Sequence, residues 1–98
     1  MNKAVFIFFA SVVLASCSKF SKIQKSNDYD FKLQKADEYF NKKSYNNASL
    51  LYEDVFPAMK GTAKFENVYY RLAYTSFYLQ DYLNAENYFK GFVEVFPK

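Results

Sequence analysis

Apolar positions recur at spacings of three and four along four segments, 29–43, 45–56, 65–80 and 82–95, and each segment predicts an amphipathic helix. Ser44 and Asp81 stand between the members of each pair. Both are good N-cap residues, because a side-chain oxygen there can accept from a backbone N–H that has no helical partner. Moving the chain by 37 residues brings Ala36 onto Ala73, Phe40 onto Phe77, Tyr45 onto Tyr82, Asn47 onto Asn84, Ala48 onto Ala85 and Tyr52 onto Phe89. The four helices are therefore two copies of one helix–turn–helix unit, about 29–60 and 63–98. Ala48 and Ala85 are expected where two helices cross closely. Gly61 is expected to end one helix in a left-handed conformation, and Thr62 to cap the next. Pro57 should end or kink the third segment near Phe56 and leave PAMKGTA as a longer connection.

Ahead of the repeats, MNKAVFIFFASVVLAS has the layout of a secretory leader: Lys3 in a short basic head, an apolar run from Ala4 to Ala15, and small residues before the cut. A run of twelve residues is too short to cross a hydrocarbon core about 30 Å thick. The leader closes on LASC, Leu14 to Cys17. Small residues just before a cysteine resemble the bacterial lipoprotein box, which implies cleavage after residue 16 and acyl chains on Cys17. Each buried CH₂ contributes roughly 0.8 kcal/mol, so several chains on one residue anchor permanently. The sole cysteine is then lipidated, leaving neither a disulfide nor a free thiol.

The segment SKFSKIQKSND, residues 18–28, carries Lys19, Lys22 and Lys25 and no acid before Asp28. With Cys17 it forms a basic stretch over 17–28, either a solvated tether or a strip attracted to anionic headgroups. Ten acids and twelve of the thirteen bases follow residue 16, a balance of 12 − 10 = +2, too mild for a nucleic-acid partner. Composition fits one small helical unit: 51% apolar and 22% aromatic, with two Gly and two Pro.

Ala36, Tyr39, Tyr45, Ala48 and Tyr52 in the first copy, then Ala73, Ser76, Tyr82, Ala85 and Phe89 in the second, with Pro97 at the closing position, resemble the tetratricopeptide repeat. That resemblance covers 29–97 and implies an all-α fold, a tetratricopeptide-type α-solenoid of two helix–turn–helix repeats. Lys35 departs from the pattern where a large apolar residue precedes the alanine, Ser76 replaces a tyrosine, and the period is 37 residues rather than 34. Such repeats bury their apolar faces against neighbours and usually number three or more. With Phe92, Val93, Val95 and Phe96 in the last helix, the expectation is an N-terminal part of a longer repeat array.

Six aromatic residues fall within NVYYRLAYTSFYLQDY, residues 67–82. At 100° per residue, Tyr69, Leu72, Ala73 and Ser76 share the face that the repeat pattern turns to its partner helix. Tyr70, Tyr74, Phe77 and Tyr78 form a second stripe, which in a solenoid includes positions on the inner, concave wall. Leu33 and Phe40 are the matching positions of the first copy, with Asp37 between them. One possibility is that rings on two faces are packing, above all Phe40 and Phe77. The other is that Tyr70, Tyr74 and Tyr78, with Leu33 and Asp37, line a groove for a protein partner, since a tyrosine buries its ring while its hydroxyl stays wet.

KLQKADEYFNKKSYNNASLLYEDVFPAMKG and YYRLAYTSFYLQDYLNAENYFKGFVEVFP, behind a lipoprotein box and a basic stretch, resemble the opening of the BamD family in its Bacteroidetes-like form. These are tetratricopeptide lipoproteins of the outer-membrane β-barrel assembly machinery. The resemblance implies a scaffold in the outer membrane that faces the periplasm, with other machinery subunits and unfolded β-barrel substrates as partners. The basic stretch fits that placement, since surface-exported lipoproteins of such bacteria tend to be acidic after the cysteine. Glycan-binding lipoproteins of nutrient-uptake systems also use such repeats, so solute capture is the alternative. No cofactor or metal is expected. Histidine is absent and Cys17 is committed to lipid, which leaves no common metal site or nucleophile–base pair, and no catalytic residue is assigned. The adjacent acids Asp37–Glu38 and Glu53–Asp54 diverge by about 100° on a helix and do not converge on a substrate. The sequon-like Asn47-Ala48-Ser49 falls inside a helix and is read as accidental.

Overall fold

Helices form where the spacing of three and four places them. The computed structural model describes residues 19–97, which carry α1 (19–25), α2 (Tyr29–Asn41), α3 (Tyr45–Met59), α4 (Phe65–Tyr78) and α5 (Tyr82–Val95). α2 packs on α3, α3 on α4, and α4 on α5. The described chain is all-α, two helix–turn–helix units laid side by side. The leader over 1–16 and Cys17 lie outside the described residues.

The 37-residue period extends to the hydrogen bonds of the turns. After α2, the N–H of Lys43 donates to the carbonyl of Phe40 and that of Ser44 to Tyr39; after α4, Gln80 donates to Phe77 and Asp81 to Ser76. This crossed pair of bonds is the Schellman closure of a helix C-terminus, and it needs a left-handed residue at its centre. Lys43 and Gln80 fill that place with φ of 65° and 63°. Neither is glycine, so each turn accepts a conformation that costs an L-residue roughly 1–2 kcal/mol. These closures end α2 at Asn41 and α4 at Tyr78, two residues before the apolar spacing runs out. Asp81 then caps α5 through the N–H of Asn84, whereas Ser44 occupies the cap position of α3 without a side-chain bond.

Gly61 follows α3 with φ 81°, left-handed as expected. Thr62 acts differently from the expected cap: its hydroxyl donates to the Met59 carbonyl and accepts from the Lys64 N–H, and Lys64 takes the cap position of α4. Pro57 does not end α3 near Phe56: the helix continues to Met59 with the proline inside it. A proline removes only its own N–H, and Glu53, whose carbonyl that N–H would have served, is on the exposed face. Three more residues of helix then carry Met59 into the core.

That core is continuous. Leu33 and Ala36 of α2, Ala48, Leu51, Tyr52, Val55 and Met59 of α3, and Phe65, Val68 and Leu72 of α4 form one cluster. Ala48 and Ala85 are buried at the helix crossings, as the repeat pattern predicts. Residues 19–28 depart from a freely solvated tether. Over 19–25 the chain is helical, Ile23 is 5% exposed within the core, and Phe20 meets Tyr39 edge to face at 5.7 Å. At the other end of the fold only Ala85 of α5 is buried, and Val93 remains 65% exposed. The positions of α5 that match Leu51, Tyr52 and Val55 are Tyr88, Phe89 and Phe92, all half-buried, since among the described residues no helix covers them as α4 covers α3.

Candidate functional site

The tyrosines of α4 divide as helical geometry requires. Leu72, Ala73 and Ser76 are buried and Tyr69 half-buried, while on the second stripe Tyr70 is 45% and Tyr78 48% exposed, with Tyr74 half-buried between them. The three phenols form a ladder. Ring centroids of Tyr70 and Tyr74 are 4.7 Å apart, those of Tyr74 and Tyr78 are 6.0 Å apart, and Tyr45 of α3 stacks on Tyr78 at 4.6 Å. Tyr74 is fixed from below by Phe89, edge to face at 5.1 Å, and Tyr70 leans on Phe92 at 5.8 Å. A hydrogen bond with the Tyr74 side chain raises the Tyr70 phenol above its ordinary value.

Two open depressions lie beside α4, and one of them reaches Tyr70 of the ladder. One, of about 400 Å³, is bordered by Asp30, Leu33, Asp37, Lys64 and Asn67; the other, of about 390 Å³, by Asn67, Glu66, Tyr70 and Phe92. Sharing Ala63 and Asn67, they join into one groove that crosses from α2 over α4 to α5. Leu33 and Tyr70, expected on one wall, border different depressions, which meet at Ala63 and Asn67. Leu33 is only the floor of the first: it is 7% exposed and belongs to the core, because α2 turns this position toward α3.

Asp37 has a second role that its place on the stripe does not reveal. Its Oδ1 accepts from the Tyr52 hydroxyl at 2.6 Å and from Nη1 of Arg71 at 2.9 Å, which ties α2, α3 and α4 together at one oxygen. The Arg71 guanidinium also lies over the Phe40 ring at 5.1 Å. Burial, then the bond to Asp37, raises the Tyr52 phenol well above its ordinary value of 10.0. One step along the repeat, Asp37 becomes Tyr74 and Tyr52 becomes Phe89, and the polar clamp gives way to an aromatic one.

Phe40 touches Tyr45 and Tyr52 and is packing; Phe77, by contrast, is exposed beside Tyr78 and Tyr82. Two ion pairs border the groove, and Glu66 adds one acid that no ion pair among the described residues engages. Asp30 pairs with Lys64 at 2.8 Å and Asp37 with Arg71. The adjacent acids diverge, Glu38 turning to Lys35 and Asp54 to Lys32. Sequence reasoning missed Asn67, Lys64 and Tyr45 as neighbours of the ladder. The repeat shift that maps Asp30 onto Asn67 was the available signal for one of them. Among the described residues no group of three His, Cys, Asp or Glu is placed to hold a metal ion, and no helix is long and apolar enough to cross a membrane.

No protein-family model matches the chain, and neither a curated protein nor a solved structure shows significant similarity to it.

Proposed function

We propose that this chain is a non-catalytic scaffold of tetratricopeptide type, held at the outer membrane by lipid on Cys17 and facing the periplasm, where it offers the groove and its tyrosine ladder to other polypeptides. Within that class, the function is in outer-membrane β-barrel assembly, with unfolded barrel segments and subunits of the assembly machinery as partners. The observation that carries the proposal is the division of aromatic residues on α4. One face seals the core, while Tyr70 and Tyr78 are about half exposed on either side of the half-buried Tyr74, and Tyr70 borders the groove. An extended segment pairs its alternate side chains with rings and its unpaired backbone groups with phenols.

Photo-crosslinking from residue 70 of the full-length chain in its own membrane tests this. Adducts with barrel-assembly subunits or with nascent barrel polypeptides are expected. Adducts with a porin-like transporter, together with glycan binding, would replace the proposal with solute capture, since phenol faces stack on sugars as well.

A further inference from the structure

The helix α1 is amphipathic over a short length, and its two edges face different surroundings. Phe20 and Ile23 dock it on the first repeat, while Lys19 and Lys22, three residues apart beside that apolar edge, are exposed. Because Phe20 meets Tyr39 near the end of α2, and 26–28 lead back to the Asp28 cap at its start, α1 runs antiparallel to α2. Its first residue therefore lies at the end of the fold that carries the α2–α3 turn. That turn exposes Lys42 and Lys43. Among the described residues no ion pair engages Lys19, Lys22, Lys42 or Lys43. Asp81, in the matching turn of the second repeat, is occupied by the backbone and side chain of Asn84. At the opposite end, Lys64 is paired with Asp30 and Lys60 lies over the Phe56 ring.

Only Ser18 separates Cys17 from Lys19, so the two Cα atoms are within about 7 Å of each other whatever the backbone does. A lipid on Cys17 thus pulls this lysine-bearing end, and no other, to the bilayer. We propose that Lys19, Lys22, Lys42 and Lys43 form a membrane-docking surface for anionic phospholipid headgroups, which stands the two repeats upright with the α3–α4 connection away from the bilayer. The proposal rests on the reading of Cys17 as the lipidated residue. The anchor then sets orientation as well as attachment, and the side of the groove reaches into the aqueous space at a fixed angle. Helices of 13–15 residues at 1.5 Å per residue put the far turn about 20 Å further from the headgroups.

The test uses the mature lipidated protein in vesicles that carry a headgroup-linked quencher, with a dye on Asn41→Cys near the lysines or on Ala63→Cys at the far turn. Stronger quenching at 41 than at 63 is expected in vesicles with phosphatidylglycerol, and the difference should shrink in purely phosphatidylcholine vesicles or in high salt. A Lys19→Gln/Lys42→Gln/Lys43→Gln variant should lower the docked population about a hundredfold, at about fivefold per lysine, whereas Lys25→Gln should leave it unchanged. Quenching that ignores lipid charge in the acylated protein would overturn the docking surface alone. Mass spectrometry showing an unmodified Cys17 would overturn the anchor, and the surface with it.

Discussion

The hydroxyl of Tyr69 on α4 occupies the space that a β-carbon on Gly91 of α5 would need. Glycine in mid-helix costs about 1 kcal/mol relative to alanine, so an ordinary Gly→Ala change there stabilises. Here the ring is held by Phe56 at 4.9 Å, Phe65 at 5.5 Å and Phe92 at 6.0 Å and has little room to swing aside. Gly91→Ala is therefore expected to destabilise by about 1 kcal/mol net, the overpacking outweighing the propensity gain. Adding Tyr69→Phe should restore or exceed the original stability in urea melts. A stabilising Gly91→Ala single variant would show that α4 and α5 are not in such close register.

The clamp at Asp37 predicts a graded loss. Tyr52→Phe removes one donor but leaves Arg71 on the carboxylate, and about 1 kcal/mol should go. Asp37→Ala leaves the buried Tyr52 hydroxyl without its acceptor and frees the guanidinium, for about 2–3 kcal/mol. A double-mutant cycle between these sites should return a coupling above about 0.5 kcal/mol, and additive losses would dissolve the clamp.

The same phenol predicts a dependence on alkaline pH. In the folded chain the Tyr52 proton is held above the ordinary value of 10.0, while the unfolded chain releases it near that value. The folded state then binds more protons, so this contribution is complete below pH 10 and is lost as pH rises above it, by up to about 1.4 kcal/mol per pH unit. Subtracting the pH profile of Tyr52→Phe from that of the wild type isolates this term from the lysines. The difference should be flat below pH 9 and fall above pH 10.

Much of this architecture was legible because the repeat is written at equivalent positions. The 37-residue shift and the spacing of three and four gave four helices, with α5 matching residue for residue, and put Ala48 and Ala85 at crossings. The features that were not legible depend on what lies across the fold. Lysines dominate 18–28, and the Phe20/Ile23 pair that docks α1 is too short a pattern to predict a helix. Pro57 is a local signal that burial of Met59 overrode. The turns at Lys43 and Gln80 lack the glycine that usually marks a left-handed closure. At the groove, the stripe of Tyr70, Tyr74 and Tyr78 was readable from α4 alone. The attachment of Asp37 was not, since Tyr52 and Arg71 are 15 and 34 residues away from it.

Those turns supply a prediction of their own. Glycine at 43 or 80 relieves the left-handed strain of about 1–2 kcal/mol and returns part of it as unfolded-state entropy. Lys43→Gly and Gln80→Gly should each raise stability by about 0.5 kcal/mol and add in combination, since they close different helices. Denaturant midpoints that fall would mean the Lys43 or Gln80 side chain contributes more than its backbone costs.

The ladder itself separates fold from recognition. Tyr70 and Tyr78 are about half exposed and each keeps a few aromatic contacts, worth about 0.5–1 kcal/mol apiece. Tyr74 is the middle rung and rests on Phe89, so Tyr74→Ser should cost more, about 2 kcal/mol, through a cavity over α5. The informative variant is thus Tyr70→Ser/Tyr78→Ser, which should stay helical and melt within about 2 kcal/mol of the wild type. Crosslinking from residue 67, which borders both depressions, should then lose its polypeptide adducts at unchanged protein level. Retention of every adduct by a folded double variant would assign the exposed rings to packing with neighbours and remove the groove as the docking surface.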